Sequence, residues 1–188
     1  MEDGEEDVEL FNSKVLEELD FSCCSVTFPS GISFQYPGPS LCMRPLNSGD
    51  FERGYIKLLS ELTVVGDVSK DLYLERFHGM KNSSGAYFVT VIEDTSSQEI
   101  VAAATLEIEQ KFIRHCAIRG RIEEVVVLEK WRGKQLGKLL IAALTMLSQK
   151  LGCYKTSLEC SDNNIPFYQK FGYKEEGQHY LVKRNIPK

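Results

Sequence analysis

Basic residues and glycines stand directly before a long apolar run in the stretch WRGKQLGKLLIAAL. Arg132, Lys134 and Lys138 supply positive charge, and Gly133 and Gly137 have no side chain that would keep a ligand from the backbone. The first N–H groups of an α-helix have no intrahelical acceptor, and the helix dipole attracts an anion to that end. The stretch therefore predicts a phosphate-binding turn where a helix begins.

Two widespread glycine motifs do not fit this turn. A Walker P-loop has four residues between its glycines and ends in Gly-Lys-Ser/Thr, whereas Gly133 and Gly137 enclose three residues and Leu139 follows Lys138. The Rossmann fingerprint GxGxxG does not occur in the sequence. A third interpretation, in which the basic residues only solvate a loop, stays open on these residues alone.

Hydrophobic periodicity predicts the elements that hold the turn in place. Apolar and β-branched runs predict strands in LCMRPL, AYFVTVI, IVAAATLEIEQKF, RIEEVVVL and YKTSLEC. The apolar run after the turn predicts a helix from Leu136 to Lys150, with Gly152 just beyond its end. Together these patterns indicate α and β elements around one mixed sheet.

Other elements are predicted on either side of these strands. Helical spacing predicts one helix within SGDFERGYIKLLSELTVVG, capped by Ser48 or Asp50 and followed by Gly66, and a second helix behind Ser69. The stretch NIPFYQKF predicts a short helix, and GYKEEGQHYLVKR predicts a final hairpin or a pair of short strands.

Length and charge limit the possible functions. The 188 residues suit one domain with a sizeable core and a tail. Six of the 27 acidic residues lie in the first nine positions, and without them 21 acidic residues stand against 22 basic ones. This near-neutral balance argues against nucleic-acid binding. Residues 1–38 read as an acidic, turn-rich, partly disordered appendage, and residues 39–188 as the folded domain.

The sequence gives no sign of a membrane span, a secretory signal or a metal site. The apolar stretch Leu139 to Leu144 is far too short to cross a bilayer, and the acidic N-terminus lacks a basic signal region. The six cysteines form no CxxC pair and no spacing typical of zinc or of a disulfide framework. Buried or idle thiols in a reducing cytosol are the favoured interpretation.

The segment VVVLEKWRGKQLGKLLIAAL resembles the acetyl-CoA-binding segment of the GNAT acetyltransferase superfamily. Arg132, Leu136 and Gly137 match its motif, whereas Gln135 stands where glycine is usual. A narrower family, eukaryotic glucosamine-6-phosphate N-acetyltransferase, carries this variant. LTVVG, KFI, RGKQLGKLL, GCYK, LEC, FYQKFGY and a terminal Lys-Arg pair follow in that family's order.

The resemblance implies a GNAT fold, an α/β (α+β) architecture with a central mixed, mostly antiparallel sheet flanked by helices. Its strands splay at the acetyl-CoA site. It also implies acetyl transfer to glucosamine 6-phosphate, in UDP-N-acetylglucosamine biosynthesis, by direct attack in a ternary complex without a metal. Tyr168 would serve the departing thiolate, Glu159 would lie near the acceptor amine, and a backbone N–H at Val125 would polarise the acetyl carbonyl.

By the same resemblance, residues are assigned to two binding sites. Those implied for acetyl-CoA are Val125, Val126, Val127, Arg132, Gly133, Lys134, Gln135, Leu136, Gly137, Lys138, Asn164 and Tyr168. Those implied for the sugar phosphate are Thr63, Lys111, Phe112, Ile113, Arg114, Glu123, Glu124, Val125, Tyr154, Lys155 and Lys183. Arg114 and Glu124 stand where the family often has His and Asp.

Two alternatives stay open beside this reading. A peptide or protein N-acetyltransferase of the same fold would need an acidic groove for a basic tail, and a catalytically silent CoA-binding module would need no intact Tyr168 or Glu159. The resemblance further implies an intertwined homodimer with the sugar site near its interface. It implies a cytoplasmic location, with peripheral attachment to endomembranes as the alternative.

Overall fold

The computed structural model of the chain describes residues 7–28, 31–177 and 179–185. The strands are β1 (Leu41–Pro45), β2 (Tyr87–Asp94), β3 (Glu99–Gln110), β4 (Ile118–Val127) and β5 (Thr156–Leu158). The helical segments are α1 (Lys14–Glu17), α2 (Tyr55–Leu59), α3 (Lys70–Lys81), α4 (Ile113–Cys116), α5 (Leu136–Lys150) and α6 (Ile165–Gln169).

The five strands form one sheet in the order β1-β2-β3-β4-β5. The first four strands are antiparallel neighbours, whereas β5 runs parallel to β4. A parallel pair needs a crossover connection, and α5 supplies it here. The predicted mixed, mostly antiparallel sheet is therefore confirmed.

Helix α5 has the bounds that the apolar run predicts, and Gly152 follows it with a φ of 82°. Leu139, Leu140 and Leu144 are fully buried in the core that α5 shares with β3 and β4. A Cβ at position 120 of β4 would overlap the Ser148 hydroxyl of α5. Glycine at this position lets β4, which leads into the basic turn, approach closely to α5, which follows the turn.

The single helix predicted within residues 48–66 is wrong in its extent. A 3₁₀ turn over Ser48–Phe51 is followed by Gly54 with a φ of 84°, and only then does α2 begin. Asn47 is the N-cap of the 3₁₀ turn, and the Asp50 carboxylate completes the capping box by accepting from the Asn47 N–H at 2.8 Å. Asp50 is fully buried and also accepts hydrogen bonds of 2.7 and 2.8 Å from the Arg44 guanidinium. The helix behind Ser69 is confirmed as α3, with the Ser69 hydroxyl as its cap.

The predicted final hairpin is also wrong for the part of residues 172–184 that the structure describes. Residues 172–177 and 179–184 contain no strand, and residue 178 lies outside the described ranges. Tyr180, Leu181 and Val182 are more than half exposed. A two-stranded hairpin is stable only when its apolar face packs against something, and these side chains have no core to cover within one chain.

Part of the segment predicted to be an appendage packs against the domain. Leu16, Leu19 and Phe34 are at most 4% exposed. The Lys150 ammonium at the end of α5 pairs with Glu18 at 2.7 Å. A domain boundary near residue 38 stays a prediction. Among the helices described, none has the length and hydropathy that a membrane crossing requires.

Candidate active site

A bulge in β4 interrupts its pairing with β3. Thr105 pairs with Glu123 and Ala103 pairs with Val126, so β4 contains one residue more than β3 between these two pairs. Glu124 takes up the extra residue with a φ of 53°, an uncommon left-handed conformation for a side chain of this size. Its carboxylate accepts a hydrogen bond of 3.2 Å from the Thr105 hydroxyl.

The same part of β4 has an open edge on its other side. Parallel pairing with β5 ends at Ile122 and Leu158, so within the described residues no strand accompanies the rest of β4 on that side. Val125 and Val127 are half-buried, and Val126 is buried. The resemblance implies strands that splay at the acetyl-CoA site, and this open edge is where β4 lacks a neighbour.

The basic turn continues directly from this bulged strand. After a 3₁₀ turn at Glu129–Trp131, Gly133 and Gln135 adopt left-handed conformations with φ of 78° and 68°. The Leu139 N–H donates to the Gln135 carbonyl, and among the described side chains none caps the first turn of α5. The earlier N–H groups of that turn are therefore those that a helix start offers to an anion.

Arg132 is held at the mouth of this turn by two acceptors. Its Nε donates to the Val127 carbonyl at 3.2 Å, and its Nη2 lies 3.0 Å from the Glu61 carboxylate. Glu61 belongs to the segment that follows α2. The sequence motif contains no hint of this partner, which lies 71 residues away.

The two lysines of the turn contact aromatic rings. The Lys134 ammonium lies 4.0 Å from the centroid of the Trp131 ring. The Lys138 ammonium lies 4.7 Å from the Phe28 centroid and donates to the Thr27 carbonyl at 2.5 Å. The described N-terminal segment thus reaches the end of α5 where the anion is expected.

Tyr168 lies on α6 beside the aromatic rings of Phe167 and Tyr173, whose centroids are 5.0 and 6.2 Å from its own. Burial raises the pKa of the Tyr168 phenol, and the nearby Cys160 thiol raises it further. A raised pKa keeps the phenol protonated at neutral pH, so its hydrogen remains available to a developing anion.

Two of the predicted acidic residues are brought together by an arginine. Arg121 Nη2 donates to Glu159 at 2.6 Å, and its Nε pairs with Glu123. Glu107 faces the same group, and burial raises the pKa of its carboxyl, with the neighbouring Glu123 charge raising it further. The arrangement gathers carboxylates from β3, from β4 and from the residue just after β5 next to the bulge.

The predicted cations lie at the opposite end of β4. Arg114 lies over the Tyr154 ring at 5.0 Å, and the Tyr154 N–H donates to the Ile118 carbonyl at 3.0 Å. Lys155 pairs with Glu176. Six residue steps along β4 lead from Ile118 to Glu124, which corresponds to about 20 Å. The Lys155 carbonyl accepts from the Gly120 N–H at 2.9 Å, four steps from Glu124, which corresponds to about 13 Å. Within one chain these cations are therefore not brought to the bulge.

The model of the acetyltransferase (GNAT) family matches residues 53–173, which include the bulge, the basic turn and α6. The chain belongs to the GNAT family. It is therefore an enzyme of the acyltransferase class. Residues outside the match include the N-terminal segment that reaches Lys138.

Similar proteins from three organisms are named as glucosamine 6-phosphate N-acetyltransferases. A probable glucosamine 6-phosphate N-acetyltransferase of Drosophila melanogaster is 50% identical, over 89% of this chain and 77% of the relative. Glucosamine 6-phosphate N-acetyltransferase 1 of Dictyostelium discoideum is 39% identical, over 78% of this chain and 93% of the relative. The crystal structure of the Arabidopsis thaliana glucosamine-6-phosphate N-acetyltransferase superposes with a TM-score of 0.74 at 36% identity, over 78% of this chain and 99% of that one. The resemblance drawn from the motifs is confirmed.

The backbone conformation at residue 135 explains why glycine is usual at this position of the GNAT turn. Gln135 occupies the position where glycine is usual, and its φ of 68° is in the left-handed region that glycine adopts without steric cost. The departure noted in the sequence is therefore a strained backbone position that this chain tolerates.

Several predicted side chains lie neither near the bulge and the basic turn nor with the cations near the start of β4. Asn164 precedes α6 and is exposed, and its side chain does not cap that helix. Thr63 is exposed on the segment after α2, and Lys183 is exposed near the end of the described chain. Phe112 and Ile113 are also exposed, next to Lys111, which pairs with Glu109.

Sequence reasoning missed Arg121 and Glu61. Arg121 stands two positions before Glu123, and the period of two along a strand was a usable signal that both face one side. Glu61 had no such signal, since it meets Arg132 only through the tertiary fold. In the ranges 7–28, 31–177 and 179–185, no cluster of three or more His, Cys, Asp and Glu could hold a metal.

Proposed function

We propose that this chain transfers the acetyl group of acetyl-CoA to the 2-amino group of D-glucosamine 6-phosphate, giving N-acetylglucosamine 6-phosphate and CoA. The observation that carries the proposal is the bulged, open edge of β4 running directly into an uncapped, glycine-bearing helix start. The named relatives support the choice of acceptor. The proposal includes a cytoplasmic location, or peripheral attachment to endomembranes, on the resemblance alone.

The turn and the strand would hold the two ends of acetyl-CoA. Backbone N–H groups of the turn, with Arg132 and the lysines around it, would bind the pyrophosphate. The open edge at Val125–Val127 would run along the pantetheine, and a backbone N–H there would donate to the acetyl oxygen as charge develops on it. One such donor is typically worth about 3 kcal/mol in the transition state.

Chemistry at the open edge needs a neutral amine and a place for the leaving electrons. The amine nitrogen attacks the thioester carbon, and the C–S bond breaks with its electron pair on sulfur. The proton that the amine loses ends on that sulfur, directly or by replacing a proton given by Tyr168, so the products are the amide and the CoA thiol. Tyr168, kept protonated by burial, would donate a hydrogen bond or its proton to that sulfur. Glu159 would orient the amine and accept its hydrogen bond.

Carboxylates next to the bulge suit an acceptor that is rich in hydroxyl and amine donors. Glu123 and Glu124 would accept hydrogen bonds from ring hydroxyls. Arg121 fixes Glu123 and Glu159 relative to each other, which would orient the sugar ring and its nucleophilic amine together. The acceptor phosphate, however, needs a cation of its own, because Arg121 is already paired with two carboxylates and the basic turn is assigned to the coenzyme.

We propose that a homodimer resolves this separation. Lys111, Arg114, Lys155 and Lys183 would reach the phosphate in a site completed by a second copy of the chain. The exposed segment at Tyr180–Val182 supports the idea, because an apolar stretch that is exposed in one chain gains stability when a partner covers it. A C2 dimer would repeat the shared site twice.

The function is tested by CoA release from acetyl-CoA against a panel of acceptors. Glucosamine 6-phosphate should be the best substrate, and glucosamine should have a kcat/KM lower by about 100-fold or more, because charge-assisted hydrogen bonds to the phosphate are lost. Preference for lysine peptides would favour the protein N-acetyltransferase. CoA binding without turnover on any acceptor would favour the silent module.

The shared site is tested separately by a doubly tagged heterodimer. One subunit carries Tyr168→Phe, and the other carries Arg114→Gln with Lys155→Gln. If sites are built across the interface, one of the two is intact and activity should be about half of wild type. If each site lies within one chain, the heterodimer shows only the average of the two weak parents.

A further inference from the structure

We propose that Glu61 competes with the coenzyme for Arg132, acting as a positioning residue that weakens acetyl-CoA binding and speeds CoA release. This rests on the proposed function, which puts the pyrophosphate on the turn between β4 and α5. No sequence motif assigns Glu61 a role; the tertiary fold alone brings it there.

One carboxylate oxygen of Glu61 serves two donors of this turn. It accepts from the Glu129 N–H at 2.8 Å and lies 3.0 Å from Arg132 Nη2. Glu61 thereby supplies an acceptor for the first N–H of the 3₁₀ turn that leads into the basic stretch. Its charge stands where a phosphate oxygen would otherwise pair with Arg132.

A pyrophosphate and a carboxylate cannot both pair with one guanidinium at no cost. Either Arg132 leaves Glu61 when the coenzyme binds, or two anions stay close together and repel each other. Both routes subtract from coenzyme affinity. After CoA departs, Glu61 again satisfies Arg132 and Glu129, so the empty turn keeps its shape.

The expected size follows from exposure. The side chains of Arg132 and Glu61 are 56% and 31% exposed, so water and salt screen the pair. Pairs of this kind correspond to about a two- to five-fold change in a binding constant. The effect should therefore adjust affinity and release without deciding whether acetyl-CoA binds.

The experiment measures the dissociation constant of CoA by calorimetry and its release rate by stopped flow, at low and high salt. Glu61→Gln keeps an oxygen for the Glu129 N–H and removes the charge, whereas Glu61→Ala removes both. Glu52→Gln is the matched control, since Glu52, like Glu61, pairs with an exposed cation, which in its case is Lys70 at 3.3 Å. Arg132→Gln and the Glu61→Gln/Arg132→Gln double variant complete a thermodynamic cycle.

We expect Glu61→Gln to bind CoA about two- to five-fold more tightly at low salt, with slower release and a smaller gain at high salt. Glu52→Gln should match wild type, Glu61→Ala should gain less than Glu61→Gln, and the gain should vanish in the Arg132→Gln background. Unchanged or weaker binding by Glu61→Gln overturns the inference, as does a gain that persists without Arg132. Failure of wild type to bind CoA at all would instead refute the proposed function.

Discussion

The two ends of β4 differ in how completely one chain builds them. At the C-terminal end, the bulge, the open edge, the basic turn and α5 follow one another along 30 consecutive residues or so, and backbone groups form most of the proposed site. At the N-terminal end, the cations come from the short α4 segment and from the approach to β5. They meet no acceptor group of the bulge.

The difference reflects what each ligand requires. A pyrophosphate and a thioester need N–H groups in fixed positions, which local backbone geometry can supply. A sugar phosphate needs side chains of both charges around a small ring, and these come from distant segments or from another subunit. The following changes test that contrast, beginning with the largest expected effect.

Tyr168→Phe should lower kcat by about 100-fold with little change in acetyl-CoA affinity, because the lost donor acts mainly as the C–S bond breaks. The ring contacts with Phe167 and Tyr173 are kept. Burial raises the phenol pKa above its ordinary value of about 10. The kcat of wild type should therefore stay above that of Tyr168→Phe past pH 10, and the difference should shrink only at higher pH. Normal turnover with a lowered Tm would assign Tyr168 to the core alone.

Arg121→Gln should lower kcat/KM for the acceptor by about ten-fold, because two charge-assisted hydrogen bonds that orient Glu159 and Glu123 are weakened. The CoA dissociation constant should stay at the wild-type value, since Arg121 does not belong to the turn. Arg119→Gln is the matched control on the same strand. An equal loss in both variants would indicate a general charge effect.

Gly133→Val should raise the CoA dissociation constant by about ten-fold, because a branched side chain strains the left-handed turn and blocks its backbone. Gly133→Asn separates the two causes, since asparagine tolerates positive φ but still adds a Cβ. Calorimetry on both variants, with Tm as the check of folding, makes the distinction. Gly137→Val should weaken binding in the same direction. Wild-type affinity in both folded valine variants would contradict the anion site.

Gln135→Gly should be the mildest change. Removing a side chain from a left-handed position relieves about 1 kcal/mol of strain, so Tm should rise by a few degrees while the CoA dissociation constant stays close to wild type. Gln98→Gly, at another residue with positive φ, is the control for the general effect of glycine. A fall in Tm at residue 135 would show that the glutamine side chain has a stabilising contact.

The sequence predicted most elements because their signals are local. The bounds of α5, the cap at Ser69 and the strands β1–β5 follow from periodicity and capping within a few residues. The prediction of one helix within residues 48–66 was wrong because Gly54 and the buried Asp50 interrupt it. The final hairpin failed because β propensity forms no strand without a surface to pack on.

What the sequence by itself determined is the family, the sheet class and the glycine-bearing turn for which we propose anion binding, since residue type and spacing along one segment specify a helix start with free N–H groups. Only the tertiary structure decided the rest. Strand register placed the bulge at Glu124 and set Arg121 between Glu123 and Glu159. Packing of the segment after α2 against the turn joined Glu61 to Arg132 across 71 residues. Such pairings depend on the cooperative fit of a whole sheet and its core, and no short stretch of the chain encodes them.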